Sequence, residues 1–120
     1  MSYNCDLWKT KELKDFMIPV ESLFKGTEDW HPDRINNDDG TVTFEMCEAT
    51  LHGVINDTWF IVKSIDCSGE GSGSAMHYVL EPAFEDSLGI LVASCVWERG
   101  DSINQITVEN GKVSWKDIEI

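Results

Sequence analysis

Basic residues are scarce in this chain. Nine Lys and Arg stand against 22 Asp and Glu, which gives a formal net charge of −13. Residues 1–26 are balanced in charge, so the whole excess of negative charge lies in residues 27–120. Such a surface repels phosphate backbones and anionic lipids and attracts basic proteins. We therefore expect no direct binding to nucleic acid or to a membrane.

Long apolar runs are also missing. No stretch reaches the roughly 18 uncharged apolar residues that a membrane-spanning helix needs. The first residues carry no basic region ahead of an apolar segment, which is the pattern of an export signal. The sequence predicts neither an export signal nor a membrane span.

The four cysteines form no C-x-x-C pair. Three of them fall within apolar, strand-like runs, and cysteine in such runs is usually buried. This favours reduced, buried thiols in a cytoplasmic protein. The even count leaves two disulfides open if a signal peptide has been removed.

The N-terminal segment shows a helical period. Thr10 can cap a first turn, and Leu13 and Phe16 follow at helical spacing. Pro19 interrupts the pattern, because it pushes the preceding residue toward extended geometry. The pattern predicts two short helices, or one kinked helix, within residues 1–26.

Residues 27–40 are polar and have no sustained period. They predict a long acidic loop, a type of connection that is uncommon in compact domains and often functional. Beyond it, apolar residues recur with a period of two, which is typical of strands. The clearest strand-like runs are residues 42–46, 59–62, 76–80 and 90–97.

A C-terminal hairpin is centred on Asn110-Gly111, the residue pair that a type I′ turn prefers because both positions need positive φ. Closing the hairpin there puts apolar pairs on one face and polar pairs on the other. The predicted pairs are Glu109 with Lys112, Val108 with Val113, Thr107 with Ser114, and Ile106 with Trp115.

These elements predict one domain over residues 1–120, of the α+β class. A short N-terminal helical segment (1–26) packs on a curved antiparallel sheet of about six strands (41–120), with the acidic loop (27–40) between them. The strands follow one another as a meander that is curved or partly closed, in the manner of a barrel.

The acidic loop holds the candidate partner-binding residues. A tryptophan ringed by carboxylates has the composition of an anchor for a basic partner. The candidates are Glu28, Asp29, Trp30, Asp33, Asp38 and Asp39. His31 lies between two of these carboxylates and suggests a divalent metal. However, the segment has no second histidine and lacks the spacing of an EF-hand, so we predict no metal and no other cofactor.

Catalytic candidates are weak. Cys47 near His52, and Cys67 with His77, are the two thiol–imidazole combinations that the sequence offers. Cys47 and His52 would point to opposite faces of a strand, and Cys67 and His77 lie on either side of a Gly-rich loop. Neither combination therefore predicts a catalytic site.

Three functional hypotheses remain. The first is a small acidic protein that sequesters or inhibits a basic protein partner, in the manner of an immunity protein, an antitoxin or a nucleic-acid mimic. The second is a small-ligand-binding domain or small enzyme with an aromatic-lined cavity in a curved sheet; its candidate residues are His77, Tyr78, Cys95 and Trp97. The third is a metal enzyme using His31. A homodimer is compatible with the charged last strand, whereas open-ended strand addition is not.

Overall fold

An antiparallel sheet of eight strands organises the chain. The computed structural model describes residues 7–25, 32–46, 48–68, 75–97 and 100–119. The strands are β1 (Leu7–Pro19), β2 (Asp33–Asn36), β3 (Val42–Met46), β4 (Ala49–Asn56), β5 (Trp59–Ser68), β6 (Leu88–Val96), β7 (Ser102–Glu109) and β8 (Lys112–Glu119). Their spatial order is β2-β3-β4-β5-β1-β6-β7-β8. The first strand therefore lies between two meanders.

Within the described residues, helical structure is limited to short pieces. A 3-10 helix (Val20–Phe24) follows β1, and a π-helical segment (Met76–Leu80) continues into α1 (Glu81–Phe84). None of the helices in the described residues is long and apolar enough to cross a membrane.

The predicted fold class is wrong. The N-terminal segment is mainly strand β1 rather than helix, the sheet has eight strands rather than about six, and 66% of the described residues are in strands, with one short α-helix. The sheet is open and is not a simple meander, because β1 separates β5 from β6.

Two β-bulges in β1 explain the helical period of the sequence. The register against β6 shifts within Thr10–Glu12 and again within Lys14–Met17, and each shift adds one unpaired residue to β1. Core-facing side chains such as Leu13 and Phe16 are therefore three residues apart instead of two. Asp15, at φ 49, lies in the second bulge.

Two further predictions of secondary structure are wrong. Residues 27–40 were expected to be a continuous loop, but Asp33–Asn36 form the edge strand β2. Residues 76–80 were expected to be a strand, but they are helical. The side chains that this helical segment and α1 bury are Met76, Val79, Leu80, Ala83 and Phe84, which is the spacing of one helix face.

The C-terminal hairpin is confirmed. Asn110 and Gly111 have φ values of 48° and 84°, as a type I′ turn requires. All four predicted pairs are present in the register of β7 with β8. The strands predicted at residues 42–46, 59–62 and 90–97 are likewise present as β3, β5 and β6.

The core lies on one face of the sheet, beneath the helical pieces. Phe44 meets Phe60 edge to face with ring centroids 4.9 Å apart, and Phe16 meets Phe84 of α1 in the same way at 5.5 Å. Alternate residues of each strand point to the opposite face, which we call the outer face.

A small polar cluster joins the 3-10 helix to the end of α1. Ser22 and Lys25 each donate a hydrogen bond of 2.9 Å to the Asp86 carboxylate. These bonds, from Lys25 first and then Ser22, hold the pKa of Asp86 below its usual value. The cluster fixes both helical pieces over the core.

Candidate functional site

Strand register gathers carboxylates on the outer face. Asp33 of β2 pairs with Glu45 of β3, Glu45 pairs with Thr50 of β4, and Thr50 pairs with Asp66 of β5. Paired residues point to the same face of a sheet. Cys67, next to Asp66, is fully buried in the core, so this row lies on the outer face.

One end of the row borders a groove of about 320 Å³. We call it the acidic groove, because three of its lining residues are carboxylates. Its lining consists of Glu45, Met46, Glu48, Ala49, Thr50, Asp66 and Ser68.

The cross-strand pair of Asp33 with Glu45 is unfavourable for folding. Like charges directly opposite one another on neighbouring strands repel. Within the described part of the chain, no Lys or Arg forms an ion pair with either carboxylate. The sheet therefore tolerates this repulsion without local compensation.

The backbone at Glu48 is also unfavourable for its side chain. Four described residues other than glycine have positive φ: Asp15, Asp57, Asn110 and Glu48. Asp and Asn tolerate this region because their short side chains bond locally, but Glu does not. Glu48, at φ 58, thus places a carboxylate beside the groove at a cost in backbone strain.

A hydrogen-bonded series crosses the outer face beside the acidic row. Asn37 Nδ2 donates to Thr43 Oγ1 at 3.0 Å, and Thr43 Oγ1 lies 3.1 Å from His52 Nδ1. His52 Nε2 is 3.6 Å from Asp66 Oδ2. Hydroxyl, imidazole and carboxylate follow in the order of a nucleophilic triad, but Thr43 is only 7% exposed. The series therefore does not present a nucleophile.

The predicted partner-binding residues are only partly accounted for. Asp33 belongs to the acidic row, whereas Asp38 and Asp39 lie in the β2–β3 turn, at the other end of the hairpin. The Thr41 hydroxyl and amide donate to Asp39 at 2.6 and 3.0 Å and hold the pKa of this carboxyl below its usual value. Glu28, Asp29, Trp30 and His31 lie outside the described residues.

The predicted cavity residues occupy two elements. His77 and Tyr78 lie on the π-helical segment, and Tyr78 is 73% exposed. His77 stacks on Trp115 of β8 with ring centroids 3.8 Å apart. Cys95 is buried in β6, and Trp97 packs partly buried against the core.

A second groove lies on the core side of the sheet, near the 3-10 helix. Its volume is about 720 Å³, and it is lined by Pro19, Val20, Glu21, Phe24, Arg34, Ile55, Asp57 and Thr58. His77, Tyr78, Cys95 and Trp97 line neither this groove nor the acidic groove.

Thiol chemistry is not favoured at Cys67, the described cysteine of the two thiol–imidazole combinations. Burial raises the pKa of Cys67 to about 12, so the nucleophilic thiolate is scarce at neutral pH. Cys47 lies outside the described residues. Among the residues that the structure describes, no group of three His, Cys, Asp or Glu side chains is placed to hold a metal ion.

Glu45, Glu48 and Asp66 are the site residues that the sequence analysis missed. Each is a single carboxylate in a separate element, and charged side chains on the outer positions of a sheet are common. No sequence signal marks Glu48 either, because tight turns favour Gly or Asn rather than Glu.

The comparisons with known proteins give no independent guide to this site. No protein-family model matches the chain, and neither the curated proteins nor the solved structures contain a significant match to it.

Proposed function

We propose that this protein binds a basic protein partner through the acidic groove. The observation that supports the proposal most strongly is that two lining residues of the groove have features that oppose folding. Glu45 forms the like-charge pair with Asp33, and Glu48 has positive φ. Local rules of stability are broken most often at functional sites, where another requirement outweighs them. A basic partner would reduce the repulsion between these carboxylates, and binding that partner would be the requirement that outweighs local stability.

The charge of the surrounding strands supports the same proposal. Between residues 32 and 68, the described chain carries seven acidic and two basic side chains. The acidic ones are Asp33, Asp38, Asp39, Glu45, Glu48, Asp57 and Asp66, and the basic ones are Arg34 and Lys63. A field of one sign accelerates the encounter with a partner of the opposite sign and repels partners of the same sign.

Sequestration or inhibition is the mode of action that we infer. An acidic groove without a catalytic group can cover a basic surface that its partner uses for another purpose, as immunity proteins, antitoxins and nucleic-acid mimics do. A cytoplasmic location stays a prediction from the cysteine pattern, and the small-ligand alternative stays a prediction as well.

The charge of the groove can be removed without changing its shape. In the triple variant Glu45→Gln, Glu48→Gln and Asp66→Asn, each carboxylate becomes an amide of equal size. We expect recovery of a basic partner from lysate to fall at least about tenfold, equivalent to about 1.4 kcal/mol of binding free energy. Quantitative mass spectrometry of proteins retained by the immobilised chain, at low and physiological salt, measures this.

The matched control removes the same three charges elsewhere, as Glu12→Gln, Asp57→Asn and Glu109→Gln. All three control side chains are exposed. We expect the control to retain the partner. Equal recovery by the groove variant and the wild type, or equal losses in both variants, would rule out the groove as the binding site.

Replacing Glu48 should separate stability from binding. Asn tolerates positive φ, so Glu48→Asn should raise the free energy of unfolding by about 1 kcal/mol while weakening the partner interaction. Urea unfolding and partner recovery measure the two effects. Glu48→Gln is the control, because it removes the charge but keeps the strain: it should weaken binding without stabilising the fold. A Glu48→Asn protein with unchanged stability would show that the strain is absent.

A further inference from the structure

The outer face carries a row of apolar side chains where a polar row is expected. Val96 of β6 pairs with Ile103 of β7, and Ile103 pairs with Ile118 of β8. Lys9 pairs with Ser94, and continuing this register by two residues places Leu7 of β1 beside Val96. We call these four residues, Leu7, Val96, Ile103 and Ile118, the apolar strip.

The β1–β6 half of the strip is open to solvent. Leu7 is 52% exposed and Val96 is 53% exposed, while Ile103 and Ile118 are half-buried. Trp8 and Cys95, the chain neighbours of Leu7 and Val96, lie in the core and are at most 4% exposed. Single exposed apolar residues are ordinary, but a row across four adjacent strands is typical of an interaction surface.

The strip begins where the acidic groove ends. Leu7 pairs with Ser68 of β5, and Ser68 lines the groove. Groove and strip therefore form one continuous surface at the same end of the sheet. Carboxylates lie on the β3–β5 side of this surface and apolar side chains on the β1–β8 side, and protein interfaces likewise combine apolar and polar areas.

We propose that the apolar strip binds the apolar part of the same basic partner that occupies the acidic groove. This inference rests on the proposed function. The partner surface then has basic side chains at one end and apolar side chains at the other. Lys9 and Lys116 lie next to the strip, two residues from Leu7 and Ile118, and they repel basic groups there. The charges thus fix the direction in which the partner lies across the sheet.

Two short synthetic peptides test the chemistry directly, one alternating Lys with Leu and one alternating Lys with Ser. We expect the wild-type chain to bind the Lys-Leu peptide about tenfold more tightly than the Lys-Ser peptide by calorimetry. In the double variant Leu7→Thr and Val96→Thr, affinity for the Lys-Leu peptide should fall to that for the Lys-Ser peptide, which should be unchanged. Threonine suits strand positions, so the fold should be retained.

The matched control is Leu88→Thr with Val54→Thr. It removes one Leu and one Val from a second apolar row of the outer face, in which Val54 pairs with Ile61, Ile61 with Met17, and Met17 with Leu88. None of these four residues lines the acidic groove. Its affinities should equal those of the wild type. Equal binding of both peptides to the wild type would overturn the role of the strip but leave the acidic groove as the binding site. If the charge-removed groove variant bound both peptides as tightly as the wild type, the proposed function itself would fail.

Light scattering tests whether a second copy of this chain, instead of a basic partner, binds to the apolar strip. We expect the wild type and the Leu7→Thr, Val96→Thr variant to be monomeric at the same concentration. A wild-type dimer that became monomeric in this variant would assign the strip to self-association and overturn the proposal.

Discussion

Gly89→Ala is expected to lower the free energy of unfolding by at least about 3 kcal/mol, which places it among the most damaging single substitutions. Gly89 has φ +85, and a Cβ atom there would lie 2.1 Å from the carbonyl oxygen of Asp15. The contacted atom belongs to the backbone of the second β1 bulge and has little freedom to move. Urea unfolding, followed by tryptophan fluorescence, measures the loss.

Gly100→Ala is the control for this prediction. Gly100 has φ +77, but a Cβ atom there would meet no atom of the described residues within 4 Å, so only the backbone strain remains. We expect a loss of about 1 kcal/mol from positive φ alone. Equal losses at the two glycines would show that the close approach of Gly89 to Asp15 does not constrain the sheet.

Trp115→Ala is expected to destabilise the chain by about 3 kcal/mol, the usual result of removing a large packed aromatic ring. Trp115 joins the last strand to the helical segment. His77 stacks on its face, Trp8 meets it edge to face at 6.0 Å, and its indole Nε1 donates a hydrogen bond to Glu81 Oε1. Thermal and urea unfolding measure the change.

Trp115→Phe separates the contribution of ring packing from that of the indole hydrogen bond. Phenylalanine keeps an aromatic ring against His77 and Trp8 but cannot donate to Glu81, so we expect a loss of only about 1 kcal/mol. If the alanine and phenylalanine variants were equally stable, ring packing would contribute nothing and the link between β8 and the helical segment would need another explanation.

Local turn chemistry explains why the C-terminal hairpin could be predicted. Asn110-Gly111 determines a turn type by itself, and the alternating residues on either side agree with the register that the turn imposes. No distant contact is needed for that conclusion. Strands β3, β5 and β6 could be predicted for a similar reason, because their apolar residues follow the strand period or form one short run.

The bulged strand could not be predicted in this way. An extra residue at a bulge is determined by the neighbouring strand, and in β1 two such residues produce the three-residue spacing of a helix. The opposite error occurred at Met76, Tyr78 and Leu80. Their alternation predicts a strand, although the buried set that extends to Ala83 and Phe84 has helical spacing.

The acidic groove could not be predicted because register assembles it. Glu45, Glu48 and Asp66 come from β3, a turn and β5, and each alone is an ordinary surface carboxylate. The sequence did indicate that the negative charge lies beyond residue 26. Which carboxylates share one face depends on strand register, because a shift of one residue in any strand would move its side chains to the opposite face.

The position of β1 has a consequence for how quickly the chain can fold. Its two neighbours in the sheet, β5 and β6, begin at Trp59 and Leu88, far along the chain from Leu7. Closing such long loops costs entropy before the pairing contributes any stability, so a sheet with this connectivity has a high contact order and folds slowly. Until β6 pairs with β1, the bulged strand has an unpaired edge, and the folding chain is prone to aggregate during that interval.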